Sequence, residues 1–543
     1  MKNKDIARQF DLLAKIMELH DENPFKIRSY ANAYLSLRKM EGDLSAMSRE
    51  ELSAIPGVGD AITDKITELL QTGKMRTLEK YKDITPAGVQ EMLSVRGLGP
   101  KKVKQIWKEM GITTVGELLY ACNENRLVEV KGFGLKTQDE IRKKIEYFVD
   151  SKGKYLFASI ESAATSLVRM IQNTFPEILV SQTGECRRLM PEVSGIEIIS
   201  TLNLEEVAKQ LDGLEYDPQE EKWKWKEFPV IWTKVTVDNF YSSLFKSSCS
   251  ESFLIESGYM HGTFKSEEEI FSTLGLQYVV PEYRENADTV IKARSSSIPE
   301  LLNLGDIKGI IHNHSTYSDG LHSLQDMADY VRNEGFEYFV ISDHSRSAFY
   351  AHGMETEKVL MQFEEIDTLN QGYNGFRIFK GIESDILMDG SLDYPDDILS
   401  QFEVVIASIH SVLNMDEAKA TERLIKAIEN PYTRILGHPT GRLLLAREGY
   451  PLDFIKVIDA CAANNVVIEL NANPQRLDLD WKWIDVAISK GVKIAVNPDA
   501  HSKESIHYTK YGVYAARKGG LTAKMCLNTL NLTEFSAWVN AGK

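Results

Sequence analysis

The sequence has few cysteines and no long hydrophobic run. Its five cysteines, Cys122, Cys186, Cys249, Cys461 and Cys526, form no Cys-x-x-Cys pair, which argues against a disulfide framework. No apolar stretch approaches the roughly 20 residues that a membrane-spanning helix requires, and the segment MKNKDIARQF contains no apolar signal core. We therefore expect a cytoplasmic protein with reduced thiols and no membrane contact.

Neither proline nor glycine dominates the composition. With 16 Pro, 35 Gly and 43% hydrophobic residues among 543, the chain is not disordered, collagen-like or a coiled coil, and its length predicts several domains.

The net charge of −16 is unevenly distributed, because residues 1–150 carry 25 Lys and Arg against 23 Asp and Glu. Nine of the 11 histidines follow residue 311. Metal chemistry is therefore expected in the acidic, histidine-rich C-terminal part.

One short pattern occurs three times in residues 1–150: a hydrophobic residue, a Gly-x-Gly turn and then a helix. Paired glycines expose backbone N–H groups beside a helix N-terminus, an arrangement that binds phosphate without reading a base. The alternative is that the glycines only serve tight turns between helices. We expect helix-hairpin-helix contacts with the DNA backbone, independent of sequence. The residues assigned to these contacts are Gly57, Gly59, Gly97, Gly99, Lys101, Lys102, Gly132 and Gly134.

The stretches NPFKIRSYANA (23–33) and IPGVGDAITDKITELL (55–70) resemble the N-terminal part of family X DNA polymerases. That resemblance implies a lyase domain followed by a helix-hairpin-helix fingers region. In the family, a lysine after the first hairpin forms a Schiff base with an abasic-site sugar, and Lys65 stands at that place. A role for Lys65 in contacting phosphate is the alternative.

Residues 184–197 resemble the palm motif of the same family, which has a Gly-Ser start and an Asp-x-Asp on a strand. Here Glu185 replaces the serine, and Gly195 and Glu197 stand at the two metal-binding positions. The later strand, FPVIWTKVTV (228–237), contains no acidic residue, and Asp238 follows only at its end. Nucleotidyl transfer needs carboxylates for two metal ions. We therefore expect a degenerate palm without polymerase activity.

After residue 305, short apolar runs alternate with helical stretches, and most runs lead to a polar cluster. Seven such units in about 200 residues predict a parallel βα barrel, whose functional residues lie at the C-terminal ends of the strands. The order of polar residues resembles a PHP (polymerase and histidinol phosphatase) domain. The resemblance implies nine metal ligands: His312, His314, Asp319, His344, Glu383, His410, His438, Asp499 and His501.

Nine ligands exceed the needs of one ion, so two or three divalent ions are expected. Imidazoles with a few carboxylates favour Zn²⁺, Mn²⁺ or Fe²⁺. Glu383, Asp499 and His410 are the expected catalytic residues, with Glu383 bridging two ions and a metal-bound hydroxide as the nucleophile. His352 and Arg346 follow the second strand and could meet a substrate phosphate.

Taken together, the chain resembles the bacterial PolX arrangement over nearly its whole length. The expected fold is multidomain: a helical helix-hairpin-helix region, an α+β nucleotidyltransferase-like palm and thumb, and a C-terminal α/β PHP barrel of the (βα)7 type. The predicted segments are 1–80 (lyase-like), 81–150 (fingers-like), 151–230 (palm-like), 231–297 (thumb-like) and 298–543 (PHP).

The resemblance implies a repair nuclease that trims 3′ ends and cuts at abasic sites, acting on gapped, 3′-ended or abasic DNA. Three alternatives stay open: retained polymerase activity, a phosphomonoesterase resembling histidinol-phosphate phosphatase, and a DNA-end scaffold with structural metal ions.

Overall fold

A computed structural model describes residues 3–38, 40, 44–95, 97–150, 153–218 and 221–542. The chain divides into two compact units, Met1–Val149 and Asp150–Lys543. Among the described residues, no helix combines the length and apolar character needed to cross a membrane. The five cysteines are buried free thiols, as expected.

The first unit is helical, and its apolar side chains form one core. In helix α1, Ile6, Phe10, Leu13 and Met17 recur at three- and four-residue spacing and are fully buried, which is the pattern of an amphipathic helix. The helices are α1 (Asn3–Leu19), α2 (Pro24–Leu37), α3 (Arg49–Ser53), α4 (Asp60–Thr72), α5 (Arg76–Asp83), α6 (Ala87–Met92), α7 (Pro100–Met110), α8 (Val115–Asn123) and α9 (Leu135–Asp150).

The second unit begins with a small mixed sheet and its helices. Strands β1 (Tyr155–Leu156) and β3 (Glu192–Val193) pair with each other. The larger sheet has the order β2-β4-β7-β6-β5, in which β4 and β7 are parallel. Its strands are β2 (Val180–Gln182), β4 (Ile196–Ser200), β5 (Leu214–Asp217), β6 (Lys222–Trp225) and β7 (Phe228–Lys234). The helices are α10 (Phe157–Thr174), α11 (Gly184–Arg187), α12 (Leu204–Ala208), α13 (Phe240–Ser247), α14 (Glu251–Ser257), α15 (Glu267–Thr273) and α16 (Ala287–Arg294).

Seven parallel strands then form the barrel, in sequence order from one edge to the other. A parallel bridge between Asn313 and Ala500 joins the segments after the first and last strands. The strands are β8 (Gly309–Ile310), β9 (Tyr338–Ile341), β10 (Arg377–Asp385), β11 (Val404–Ser408), β12 (Thr433–Leu436), β13 (Val467–Asn471) and β14 (Ile494–Asn497). The helices are α17 (Leu324–Asn333), α18 (Thr356–Gly372), α19 (Asp396–Leu399), α20 (Glu417–Glu429), α21 (Phe454–Ala463), α22 (Ile484–Ser489), α23 (Thr509–Lys518) and α24 (Leu532–Asn540).

This architecture confirms the predicted fold class, including the (βα)7-type barrel. Strands β9, β11, β12, β13 and β14 are buried along their whole length, which explains why they read as continuous apolar runs. Strand β10 continues through Asp385, so Glu383 lies within the strand, whereas His344, His410 and His438 lie just beyond the ends of theirs.

Candidate functional site

The nine histidine and carboxylate residues lie together at the C-terminal end of the barrel. Because the strands are parallel, residues at or just beyond their C-terminal ends converge there. None of the nine side chains is more than 10% exposed. His312 and Asp499 have positive φ angles of 63° and 52°, a conformation that is strained for these residue types. The strained positions flank the Asn313–Ala500 bridge that joins the two edges of the barrel.

Glu383 occupies the centre of this cluster. Its Oε1 atom lies 2.9 Å from Nε2 of His438, 3.1 Å from Nε2 of His410 and 3.3 Å from Nε2 of His312. Its Oε2 atom lies 3.0 Å from Nδ1 of His344. One carboxylate therefore contacts histidines from four other strand ends, which is the position required of a ligand shared by two ions.

Ligand-type atoms group into sets of the size that a metal ion requires. In each set the atoms lie within 4.8 Å of one another, a spacing that allows them to surround one ion. The sets are His314, Asp319, His344 and His501; His312, His314 and Asp499; and His344, Glu383 and His410.

Several buried atoms in the cluster make no hydrogen bond of suitable geometry, even where another polar atom lies 3.0–3.3 Å away. They include Nε2 of His312, Nδ1 of His314, Oδ2 of Asp319 and Oε2 of Glu383. Burying such polar atoms unsatisfied costs about 1–3 kcal/mol each, and more for a charged group. A cluster of orphaned nitrogen and oxygen atoms aimed at one another fits divalent cations. The mixed nitrogen and oxygen donors also suit first-row transition ions better than an all-oxygen site would.

The electrostatics of the cluster favour cation binding. Burial, together with the neighbouring His501 and His344, lowers the pKa of His314 to about 3, so its imidazole is neutral and able to coordinate. Burial alone would raise the pKa of Glu383, but the facing His410, His312 and His344 hold it well below its usual range. Burial opposes the charged form of His410, yet Glu383 and Asp385 raise its pKa to about 10. The two carboxylates beside this histidine therefore favour positive charge at this place, which a metal ion can supply in place of the proton.

Two carboxylates behind the cluster were missed by sequence reasoning. Glu469 Oε2 lies 2.6 Å from Nδ1 of His312, and Asp385 accepts a hydrogen bond from Nδ1 of His410. In each pair the Nδ1–H bond leaves Nε2 facing Glu383, so the outer carboxylate selects the tautomer. A usable signal for Asp385 is its spacing of two residues from Glu383, since alternate residues of a strand share a face.

We predict that Asp385→Ala weakens metal retention and activity by roughly 10–100-fold, the usual cost of losing an outer partner of a metal-bound histidine. The measurement is metal content per chain after dialysis against a graded series of chelator concentrations, alongside the rate of hydrolysis. Asp389→Ala is the matched control, because Asp389 contacts only Ser391 and Lys426 in its hydrogen bonds and lies outside the cluster. Equal chelator sensitivity in both variants would contradict the assigned role of Asp385.

One further charge reaches the cluster. The Arg476 side chain is buried, and its Nε atom lies 3.8 Å from Oδ2 of Asp499. Arg442, by contrast, is held by the carboxylate of Asp480 and by the backbone carbonyl of Arg476. A buried guanidinium beside an acidic cluster suits contact with an anionic substrate, and nothing in its sequence position indicates this.

The three Gly-x-Gly turns of the first unit share one backbone geometry. Gly57, Gly97 and Gly132 have φ angles of +84°, +91° and +96°, which only glycine adopts freely. In each turn the next residue donates its N–H to the carbonyl two residues before the glycine, at 2.9–3.0 Å. The second glycines, Gly59, Gly99 and Gly134, precede α4, α7 and α9, and space for a Cβ atom is open at each. Turn geometry and exposed helix starts therefore occur together.

The lysines assigned to this unit lie on or near its surface. Lys101 is exposed at the start of α7, and Nζ of Lys102 lies 5.7 Å from the ring centre of Phe133. Lys65 lies in α4, partly exposed, with Nζ 5.9 Å from the ring centre of Tyr30. Its role in Schiff-base chemistry stays a prediction.

In the palm-like segment, Glu197 is the acidic residue at the two metal-binding positions implied by the resemblance. Its side chain points toward helix α11, where its Oε2 accepts the Cys186 N–H at 3.0 Å. A Cβ atom on Gly184 would lie 2.1 Å from Oε1 of Glu197. Burial raises the pKa of Glu197. Asp238 is exposed and lies four residues beyond the end of β7.

Comparison with known proteins gives both local and full-length matches. Residues 1–75 match the model of a helix-hairpin-helix domain, and residues 89–146 match that of a SAM-like helix-hairpin-helix tandem. The DNA polymerase/3′-5′ exonuclease PolX of Bacillus subtilis (strain 168) is 33% identical, with 99% of each chain covered. A probable phosphatase of Thermoanaerobacter sp. (strain X514) is 29% identical over 40% of this chain and 89% of its own length. A probable phosphatase of Acetivibrio thermocellus is 31% identical over 30% of this chain and 63% of its own length.

Proposed function

The chain belongs to the PolX family, and on that premise we propose that it is a metal-dependent nuclease that removes nucleotides from the 3′ ends of DNA. The observation that carries the proposal is the cluster around Glu383, with its orphaned buried nitrogen and oxygen atoms. The proposed ligands are the nine residues inferred from the sequence. Two or three Mn²⁺, Zn²⁺ or Fe²⁺ ions fit their donor atoms.

When bound, such ions lower the pKa of a coordinated water and stabilise the charge that develops on a phosphoryl group. The chain's own residues provide the frame. Glu383 would be the ligand shared by two ions, while Asp385 and Glu469 hold His410 and His312 in the tautomers that present Nε2. Arg476, whose Nε atom lies 3.8 Å from Asp499, would bind a non-bridging oxygen of the scissile phosphate. His410 and His344, at 10% and 7% exposed, form the accessible side of the cluster.

The helical first unit supplies affinity for DNA. Its hairpins present backbone N–H groups and lysines to phosphates, so binding would not depend on sequence. We propose gapped, 3′-ended or abasic DNA as the substrate, with cutting at abasic sites as a second reaction. We also propose that residues 1–80, 81–150, 151–230, 231–297 and 298–543 correspond to lyase-like, fingers-like, palm-like, thumb-like and PHP segments.

A prediction tests the role of the hairpins. Because each phosphate contact releases counterions, Lys101→Ala should weaken DNA binding about equally for all sequences and reduce the slope of log K against log salt by about 1. Fluorescence anisotropy with two unrelated duplexes at several salt concentrations measures both effects. Lys74→Ala, another exposed lysine of the same unit but outside the hairpins, is the control. An unchanged slope in Lys101→Ala would remove this lysine from the interface.

Among the alternatives to a nuclease, a phosphomonoesterase has the most support from the comparisons, because a probable phosphatase matches 40% of this chain. Helix-hairpin-helix domains have no use in that reaction, and a scaffold with structural metal ions would not need a partly accessible cluster.

The experiment follows a 5′-labelled DNA strand incubated with Mn²⁺, Zn²⁺ or Fe²⁺, in parallel with p-nitrophenyl phosphate and its bis-ester under the same conditions. We expect a ladder of shortened strands and preferential hydrolysis of the bis-ester. Hydrolysis of the monoester with intact DNA would favour the phosphatase. No hydrolysis of any substrate with any of the three ions would favour the scaffold.

A further inference from the structure

The accessible side of the metal cluster is bordered by exposed apolar side chains. Folding normally buries large apolar groups, and a group of them at one place marks a binding surface. Here Leu321, Phe349, Met388 and Val412 follow β8, β9, β10 and β11 in turn, and they are 48%, 84%, 60% and 43% exposed. Since the segments after parallel strands lie at one end of a barrel, all four belong to the end that holds the cluster.

Phe349 stands out within this group because its loop is fixed to the cluster. The 345–354 loop is bridged at its base between Ser345 and Met354. Its Ser345 N–H donates to the Glu383 carbonyl at 3.0 Å, and the Ser347 hydroxyl donates to Asp385 at 2.9 Å. The loop is thus anchored on the two residues that organise His410. Phe349 follows Ser347 by two residues in a short 3-10 helix, Phe349–Ala351.

The same loop carries a positive charge. Arg346 donates to the Asp393 carbonyl at 2.8 Å, its Nε atom lies 3.4 Å from the Asp393 carboxylate, and its side chain is 44% exposed. The guanidinium is thus held by Asp393 on one side and open to solvent on the other. Only Ser347 and Ala348 separate this anchored cation from the exposed aromatic ring of Phe349. A nucleic acid strand presents this combination of charge and apolar face, because each phosphate is followed by a base. A simple phosphate ester presents only the charge.

The position of the ring relative to the ligands gives the direction of approach. His312 and His314 are fully buried, whereas His344 and His410 keep some exposure. Phe349 comes five residues after His344, and Val412 two residues after His410, so the exposed apolar groups border the side from which a substrate reaches the cluster. Base stacking on an aromatic ring contributes about 1–3 kcal/mol per base and does not depend on the base.

We propose that Phe349 is a specificity-determining residue that stacks on an unpaired base next to the scissile phosphate, with Arg346 binding a neighbouring phosphate. This inference rests on the proposed nuclease function and adds to it the recognition of a base at the cluster. It explains how one phosphodiester-cleaving cluster would prefer a single-stranded nucleotide end over small phosphate esters.

The test combines removal of the ring with removal of the base. Single-stranded oligonucleotides carry either normal nucleotides or a tetrahydrofuran abasic residue at the terminal or the penultimate 3′ position, and kcat/KM is measured with Mn²⁺. The wild-type chain should cleave the normal strand about tenfold faster than at least one of the two abasic strands, and that strand identifies the position of the stacked base. Phe349→Ala should lose that discrimination by slowing only on the normal strand, and Phe349→Trp should keep it.

Ile255→Ala is the matched control, since Ile255 is 73% exposed in α14 and far in sequence from the barrel loops. It should behave like the wild type on all strands. Discrimination that persists in Phe349→Ala, or equal slowing of normal and abasic strands, would overturn the stacking role. Equal wild-type rates on normal and abasic strands would also overturn it while leaving the nuclease function intact. Failure of the wild type to cleave any strand would instead refute the proposed function.

Discussion

Glu383→Gln should reduce hydrolysis of DNA by about 10³-fold or more. The carboxylate contacts His312, His410, His438 and His344 through its two oxygens. Glutamine keeps the volume but removes the charge and replaces one oxygen by an NH2 group that cannot coordinate. Metal ions contribute several kcal/mol to transition-state charge stabilisation, and about 4 kcal/mol corresponds to a factor of 10³ in rate.

Three measurements separate this effect from misfolding. Metal content per chain should fall, while the thermal unfolding midpoint in chelator and the affinity for DNA should stay near the wild-type values. Glu357→Gln, an exposed glutamate of α18, is the control and should retain full activity. A Glu383→Gln protein that kept both its metal and its rate would show that the cluster is not the site of hydrolysis.

Much of the site could be predicted because its residues follow recognisable strands. His-x-His after one apolar run and Asp-x-His after another mark the two edges of the barrel, and the structure places His312 and Asp499 on either side of the bridge that joins them. Side chains at the C-terminal ends of parallel strands must converge, so their proximity follows from topology. That these residues bind metal ions stays a prediction.

The supporting residues could not be predicted in the same way. Asp385 and Glu469 are two acidic residues among 79. The spacing of Asp385 from Glu383 is a sequence signal for its position, but the roles of both residues depend on their three-dimensional pairing with His410 and His312. The exposure of Phe349 likewise depends on how the 345–354 loop closes. A loop of this length has many conformations, and the one adopted is selected by contacts with Glu383 and Asp385 that lie far along the chain.

For the palm-like segment, the sequence indicates that metal-binding acids are missing, but it does not indicate how the side chains that replace them are arranged. A departure from an acidic motif is visible at Gly195 and Glu197. The position of the Glu197 carboxylate beside Gly184 depends on the missing side chain of that glycine, because a Cβ atom there would lie 2.1 Å from Oε1 of Glu197. Two arginines of the same segment pair with glutamates: Arg187 donates to Glu267 at 3.0 Å and Arg188 to Glu285 at 2.8 Å.

From this geometry we expect no detectable templated lengthening of a primer. The rate of nucleotide addition should be at least about 10³-fold below that of a two-metal polymerase, because the transition state loses several kcal/mol of stabilisation by metal ions. Glu197 is held by the Cys186 N–H, and Asp238 lies beyond the strand that should carry a third acid. Restoring an acid at Gly195 is blocked, because this residue has a φ of +155° and a Cβ atom there would lie 2.7 Å from the Pro229 carbonyl oxygen.

The decisive assay uses the Glu383→Gln chain, in which primer degradation cannot hide extension. A 5′-labelled primer on a gapped template is incubated with Mn²⁺, with and without all four dNTPs, and compared with the wild-type chain on the same gel. We expect the variant to leave the primer at its original length and the wild type to shorten it whether or not dNTPs are present. Dialysis with labelled dATP gives a second readout, because a palm whose turn is capped by Glu197 should also fail to bind the triphosphate. Template-dependent lengthening by the variant would mean that Glu192, Glu197 and Asp238 rearrange around metal ions, since those carboxylates are the ones the segment can bring to such a site.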